Sequence, residues 1–244
     1  MPKIVVPISG GKDSQACLKL AIENFNKEDI LGVFYDTKFE HPLTYEHVNN
    51  IEKLYGVKIE KVSGGSVEEL VLKYKRFPGP RSRFCTDRLK IQQSKIFYKK
   101  LAETNGPFEV WYGMRSNESR QRAKRYADIS AESLYAPHEV LPSSYPKYFA
   151  TKLNIKFRLP ILDWTEEDVF EYLAGEENPL YKQGAKRVGC FPCLASSDKA
   201  KQKDFLHDDF GKQQYKKVLW LEQQTGASVW SKEDSAQQCL ICNI

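Results

Sequence analysis

No stretch of these 244 residues approaches the roughly 18 consecutive apolar residues that a membrane-crossing helix needs. The beginning also lacks the basic and then apolar run of an export signal, because Lys3-Ile-Val-Val-Pro7 reads directly as a strand. These two absences exclude a membrane partner and predict a cytoplasmic protein. There is no internal repeat and no low-complexity tract. Cysteine is limited to six residues, and without an export signal they argue against a disulfide framework. Neither of the common phosphate-loop patterns is present. There is no Gly-x-x-x-x-Gly-Lys-[Ser/Thr] and no Gly-x-Gly-x-x-Gly opening a helix.

What is present is the composition of a globular chain with a real core, 41% hydrophobic and 12% aromatic. The net charge of +5 is unevenly spread. Arg115, Arg120, Arg122, Lys124 and Arg125 form one cluster, and Arg76, Arg81, Arg83, Arg88 and Lys90 another. Such clusters suit the phosphates of a nucleotide or a nucleic acid, although a solvated face accounts for any one of these side chains.

Apolar runs alternate with helical patterns. Strands are predicted over Ile4 to Ile8, Ile30 to Tyr35, Val57 to Val62 and Phe108 to Tyr112. Between them, Gln15 to Phe25, Tyr45 to Tyr55 and Val67 to Tyr74 carry helical spacing. The alternation predicts an α/β fold with a doubly wound parallel sheet. In such sheets ligands sit beyond the carboxyl ends of the strands, which gathers Ser9 to Ser14, Asp36 to Glu40 and the segment from Gly113 onward. Residues 76–84 and 137–151 are irregular because of their prolines. Thr165-Glu-Glu-Asp168 reads as a capping box that starts a further helix. The domains predicted are a nucleotide-binding α/β domain over 1–164 and a helical C-terminal region over 165–244.

The strongest local signal is Ser9-Gly-Gly-Lys-Asp-Ser14 between the first strand and the first helix. Backbone N–H groups and the helix dipole favour an anion there. Gly10 and Gly11 admit a phosphate closely, Lys12 adds a charge, and Ser14 is expected to cap the helix. Asp36, Thr37 and Glu40 follow the second strand, where a carboxylate can accept from an adenine or ribose or hold a metal ion. Arg115, Arg120 and Arg122 follow the fourth strand, and Glu118 is placed to orient one of these arginines. Guanidinium forks suit phosphate and sulfate oxygens. Cys190-Phe-Pro-Cys193 and Cys239-Leu-Ile-Cys242 have metal-ligand spacing and together offer four sulfurs to zinc or an iron–sulfur cluster. Cys17 lies on the apolar face of the first helix, and Cys85 stands alone among charged residues.

Ser-Gly-Gly-Lys-Asp-Ser resembles the PP-loop of the ATP-pyrophosphatase and 3′-phosphoadenylylsulfate (PAPS) reductase superfamily. Asp36-Thr37-x-x-Glu40-His41-Pro42 is similar to that family's second signature, which lines the adenosine pocket. The runs Arg83 to Ile91, Gly113 to Arg120, Arg158 to Thr165 and Arg187 to Cys193 resemble family blocks in family order, so the likeness covers nearly the whole chain. Cys-Thr-Asp-Arg-Leu-Lys and Gly-Cys-x-x-Cys followed by Asp198-Lys199 look like the branch with the sulfur-transfer enzymes of DNA phosphorothioation and phage relatives. The resemblance implies an adenine nucleotide alpha-hydrolase-like fold, ATP or PAPS as cofactor, and Mg2+ held by Asp13 or Asp36. It also implies a [4Fe-4S] cluster with Cys85 as a ligand. The reading of the residues alone pairs Cys190 and Cys193 with Cys239 and Cys242, with Zn2+ as the alternative ion, and leaves Cys85 a free thiol.

The leading expectation is an enzyme in which Lys12, Asp13, Arg115 and Cys85 act, ATP is attacked at its α-phosphate, pyrophosphate leaves, and the adenylated acceptor receives sulfur. The second is a PAPS or adenylylsulfate reductase with Cys239 or Cys85 as nucleophile. Against it, the chain ends Gln238-Cys239-Leu-Ile-Cys-Asn-Ile244, without the Glu-Cys-Gly-[Ile/Leu]-His segment of true PAPS reductases. The third is a nucleotide- or nucleic-acid-binding module without turnover. The partners expected are an adenine nucleotide, a sulfur donor such as a cysteine desulfurase or a thioredoxin-type reductant, and a nucleic acid substrate.

Overall fold

The computed structural model describes residues 1–231, so Cys239 and Cys242 lie outside the described residues. Five strands, β1 (Ile4–Ile8), β2 (Ile30–Asp36), β3 (Ile59–Ser63), β4 (Glu109–Trp111) and β5 (Lys156–Arg158), form an all-parallel sheet in the order β3-β2-β1-β4-β5. The helices described are α1 (Lys12–Asn24), α2 (Pro42–Tyr55), α3 (Val67–Tyr74), the single turn α4 (Phe84–Thr86), α5 (Gln92–Asn105), α6 (Arg120–Arg125), α7 (Pro137–Val140), α8 (Tyr148–Thr151), α9 (Glu166–Leu173), α10 (Asp198–Phe205) and α11 (Asp209–Thr225).

The central strands are apolar throughout because both of their faces are covered. On one face Ile4, Val6 and Ile8 of β1 and Ile30 and Phe34 of β2 pack with Cys17, Leu18 and Ala21 of α1 and Val48 and Ile51 of α2. On the other, Val5, Leu31, Val33 and Tyr35 pack with Tyr98 and Ala102 of α5 and with Val110 and Phe157. Cys17 is thus core, as its place on the helix predicts. β5 is a fifth strand beyond the four predicted. It is three residues long with one buried side chain, Phe157, too short to show a period.

The order places β1 and β4 side by side although β2 and β3 intervene in sequence. The chain turns back there, and in such sheets a ligand crevice forms at that point, beyond the carboxyl ends of the two strands. The chain groups into two compact units. One comprises 1–35, 42–63 and 91–189 and carries the whole sheet except Asp36; the other comprises 36–41, 64–90 and the residues from 190 onward.

Candidate functional site

The loop after β1 supplies the first element of the site. Gly10 has φ of 77°, and a Cβ there would lie 2.5 Å from Thr44 Cγ2, so only glycine takes this turn without displacing α2. Gly11 is the N-cap of α1 and has no side-chain cap. Ser14 does not cap α1 as expected. Its hydroxyl donates to the Gly11 carbonyl at 2.9 Å and accepts from the Ser9 N–H at 3.1 Å, which closes the loop on itself. The Gly11 and Lys12 N–H groups donate to Ser9 Oγ at 3.3 Å and Tyr181 Oη at 3.1 Å, hydroxyl acceptors whose places phosphate oxygens can take.

The second element comes from the loop after β4. A Cβ at Gly113 would collide with the backbone of Asp13 and Ser14, so the missing side chain lets this loop close onto the start of α1. That approach delivers Arg115, only 4% exposed, whose Nε donates to Asp13 Oδ1 at 2.5 Å. Its two Nη groups make no hydrogen bond among the described residues. Lys12, also 4% exposed, lies 2.9 Å from Glu166 Oε1 and 3.7 Å from Asp13 Oδ2, with its ammonium over the Phe170 and Tyr181 rings. Two cations and two carboxylates therefore meet at the loop. The Lys12 ammonium beside Glu166 holds its carboxyl below the usual range. Arg120 sits exposed at the start of α6, and Glu118 pairs with Arg122.

The segment 166–189, part of the C-terminal region expected from the sequence, completes this site. Asn178 is fully buried and its Nδ2 donates to the Gly10 carbonyl at 3.1 Å, while its Oδ1 accepts from the Leu180 N–H at 3.0 Å. Burial pushes the Tyr181 phenol up to about 12, so it serves as a neutral hydroxyl. Behind the loop, Gln15 donates to Tyr55 Oη at 3.2 Å and to the Glu176 carbonyl at 2.8 Å, and its own Oε1 accepts from His47 Nε2 at 2.8 Å. Nothing in the sequence marks these partners, since each is an ordinary polar residue distant in the chain.

The other unit holds the remaining site residues. Asp36 Oδ1 accepts from the Lys38 N–H at 2.7 Å. Glu40 is 3% exposed, and its carboxylate accepts from the Thr37 hydroxyl at 2.7 Å and from the Thr37 and Phe39 N–H groups at 3.3 and 3.1 Å. Its acceptors are committed to shaping the loop 36–41. Cys190 pairs with Glu40 through a backbone bridge, and its thiol lies 3.4 Å from Thr37 Oγ1. His41 Nε2 contacts Asp208 Oδ2 at 2.8 Å, tying the same loop to the N-cap of α11.

Burial pushes the Cys190 thiol up to about 11, and burial together with the charge on Cys193 raises Cys85. The Cys193 charge also raises Cys190, and the Lys90 ammonium pulls both thiols down, so these side chains lie within electrostatic reach of one another. Cys85, predicted to stand alone by one reading, belongs to this group. Among the described residues no three histidine, cysteine or acidic side chains stand in position to hold a metal ion. Cys85, Cys190 and Cys193 are of the donor type a thiolate-ligated centre uses but do not converge on one metal position, and the further sulfurs of Cys239 and Cys242 lie outside the described residues. Asp13 Oδ1 is engaged by Arg115, and its Oδ2 lies 3.7 Å from the Lys12 ammonium.

Among the described residues no helix is long and apolar enough to cross a membrane. Residues 3–196 match the model of the phosphoadenosine phosphosulfate reductase domain. An uncharacterized protein of Methanocaldococcus jannaschii is 32% identical over 197 residues, covering 79% of this chain and 36% of that protein. The adenosine 5′-phosphosulfate reductase of Salinibacter ruber is 28% identical over 179 residues, covering 69% of this chain and 59% of the reductase. The chain spans 36% to 66% of the length of the curated relatives it matches. In solved structures the fold recurs in the PAPS reductase of Candida auris in its phosphate complex, with TM-score 0.51, 16% identity, and coverage of 79% of this chain and 83% of that one. It recurs also in the U34-tRNA thiolase NcsA of Methanococcus maripaludis with its [4Fe-4S] cluster, with TM-score 0.51, 15% identity, and coverage of 100% and 82%. The family match runs from the first strand through the Cys190-to-Cys193 pair, and by it this chain belongs to the phosphoadenosine phosphosulfate reductase domain family.

Proposed function

We propose that the chain is an enzyme that binds ATP at the Ser9–Ser14 loop, adenylates an acceptor with release of pyrophosphate, and prepares that acceptor for substitution by sulfur. The observation that carries this reading is the loop at the β1–β4 reversal, with Lys12, Asp13 and Arg115 drawn together at the start of α1. An acceptor oxygen attacks the α-phosphorus, the bond to the bridging oxygen of pyrophosphate breaks, and AMP is the later leaving group. The N–H groups of Gly11 and Lys12, the Lys12 ammonium and the Nη groups of Arg115 stabilise charge on the phosphate oxygens. Asp13 fixes the guanidinium plane through Nε, and Glu166 holds the ammonium until the nucleotide competes for it. Mg2+ enters with ATP and neutralises phosphate charge when bound.

Of the two candidate nucleophiles for a sulfonucleotide reductase, Cys85 is the less suited, because burial raises its thiol and a thiol that attacks sulfur must ionise readily. The cysteines suit a resident centre: Cys190 and Cys193 with Cys85 and one tail cysteine for a [4Fe-4S] cluster, or with Cys239 and Cys242 for Zn2+. When bound, the cluster would supply an iron for sulfur, and zinc a structural clasp.

Calorimetry with ATP and with PAPS tests the site, and Lys12→Ala should abolish binding while leaving the melting profile intact. Pyrophosphate release that depends on an acceptor is the expected activity. Sulfite release from PAPS with thioredoxin, lost in Cys239→Ser, would replace this reading by the reductase.

A further inference from the structure

Apart from Cys85 and Lys90, the stretch 73–90 has no part in the chemistry above, yet it concentrates the charge of the chain. Lys73, Lys75, Arg76, Arg81, Arg83, Arg88 and Lys90 stand against the one carboxylate of Asp87, a segment charge of +6 where the whole chain carries +5. The rest of the molecule is therefore close to neutral. All seven cations except half-buried Lys90 are exposed.

These charges ride on a fixed scaffold. α3 stops at Lys75, which takes φ of 52° and turns the chain sharply. Gly79 and Ser82 exchange two backbone hydrogen bonds of 3.2 and 3.0 Å, leaving Pro80 and Arg81 at the tip of a tight turn. Phe77 and Leu89 anchor both sides into the core of this unit. The Arg76 guanidinium lies over the Phe84 ring at 5.3 Å, and Tyr74 meets the same ring edge-on at 4.9 Å. No carboxylate pairs with Arg76, Arg81 or Arg83 among the described residues.

We propose that this turn is the docking surface for a single-stranded polynucleotide, whose phosphates meet the exposed cations and whose bases stack at Phe84 and Tyr74. Six exposed cations along one stretch exceed what a lone nucleotide can occupy, and a polymer with one phosphate per residue uses them in series. Arginine provides four of the six and suits phosphate forks. No large apolar side chain is exposed in 73–90, which leaves nothing to insert into a lipid surface. Aromatic rings beside the guanidinium favour unpaired bases over a duplex, whose bases are already stacked. The proposal deepens the function above by naming the class of acceptor, and it rests on that function only for the acceptor role.

The test is fluorescence anisotropy of labelled RNA and DNA oligomers of about 16 nucleotides, unstructured and without ATP, titrated with the full chain. Binding should weaken steeply with salt. Replacing Arg76, Arg81 and Arg83 together by alanine should weaken it at least tenfold and lower the log–log salt slope by about two, at roughly 0.7 per phosphate contact. Its ATP affinity should match wild type. Phe84→Leu, which keeps the packing but removes the ring, should weaken binding with the slope unchanged. A triple variant that binds like wild type overturns the proposal, as does a wild-type chain that binds anionic-lipid vesicles and neither oligomer. Loss of ATP binding with oligomer binding intact would instead remove the adenylation reading and leave this surface standing.

Discussion

Asn178→Ala probes how the phosphate loop is held from outside its own sequence. The side chain is fully buried, and its amide satisfies the Gly10 carbonyl at 3.1 Å and the Leu180 N–H at 3.0 Å. Alanine leaves both backbone groups buried without a partner, and each such loss costs about 1–3 kcal/mol. The sum, about 2–6 kcal/mol, lowers Tm by roughly 4–24 °C, since a chain of this size shifts about 2–4 °C per kcal/mol. Gly10 is also the residue whose positive φ turns the loop toward α1, so freeing its carbonyl should loosen the donors at Gly11 and Lys12. ATP affinity is expected to fall at least tenfold, a change of about 1.4 kcal/mol. Asn178→Asp keeps the acceptor for Leu180 but sets an anion against the Gly10 carbonyl and near the phosphates, so it should bind ATP no better than alanine. Differential scanning fluorimetry and calorimetry measure both effects. An alanine variant that melts within about 2 °C of wild type and binds ATP equally well would refute the reasoning, because two unsatisfied buried groups cannot be that cheap.

The cysteine partition separates by metal content after anaerobic purification. If Cys85, Cys190 and Cys193 ligate a cluster, Cys85→Ser loses iron and sulfide while one of Cys239→Ser and Cys242→Ser retains them. A clasp of Cys190, Cys193, Cys239 and Cys242 reverses both results. A pH effect is expected at His47, whose pKa burial lowers from 6.5 to about 4. Between those values the unfolded chain binds a proton that the folded chain refuses, so stability is fully present above about pH 6.5 and declines as pH falls toward 4. His47→Gln, which can still donate to Gln15 Oε1, should flatten that decline in urea melts at pH 7.5 and 5.5. An unchanged slope would show that His47 is not the titrating group.

The parts of the fold legible in sequence were those whose cause is local. β1, α1 and the loop between them could be read because alternating apolar residues, two glycines and a lysine lie in one short run. The capping box at Thr165 was equally local, and the structure contains it, with the Thr165 hydroxyl accepting from the Asp168 N–H at 3.1 Å. Other contacts could not be read because their cause lies across the chain. The role of Ser14 depended on whether its hydroxyl met its own helix or Ser9, and the tight closure of the loop chose Ser9. Glu40 looked like a ligand carboxylate, but the N–H groups of Thr37 and Phe39 claim it within the loop.

Asn178 gives the extreme case, 168 positions from the Gly10 carbonyl it holds. In sequence it lies in Glu-Glu-Asn-Pro, a pattern that predicts only a turn. Within the loop Ser14 fixes the Gly11 carbonyl, but no side chain of Ser9–Ser14 donates to the Gly10 carbonyl. Support must then arrive from another segment, and here it arrives from 166–189 through Glu166, Asn178 and Tyr181. The loop motif specifies which atoms meet the nucleotide, and the distant segment specifies how firmly they are held. Variation at Asn178 should accordingly tune affinity while the motif stays intact, a dependence that the six residues Ser9–Ser14 cannot reveal.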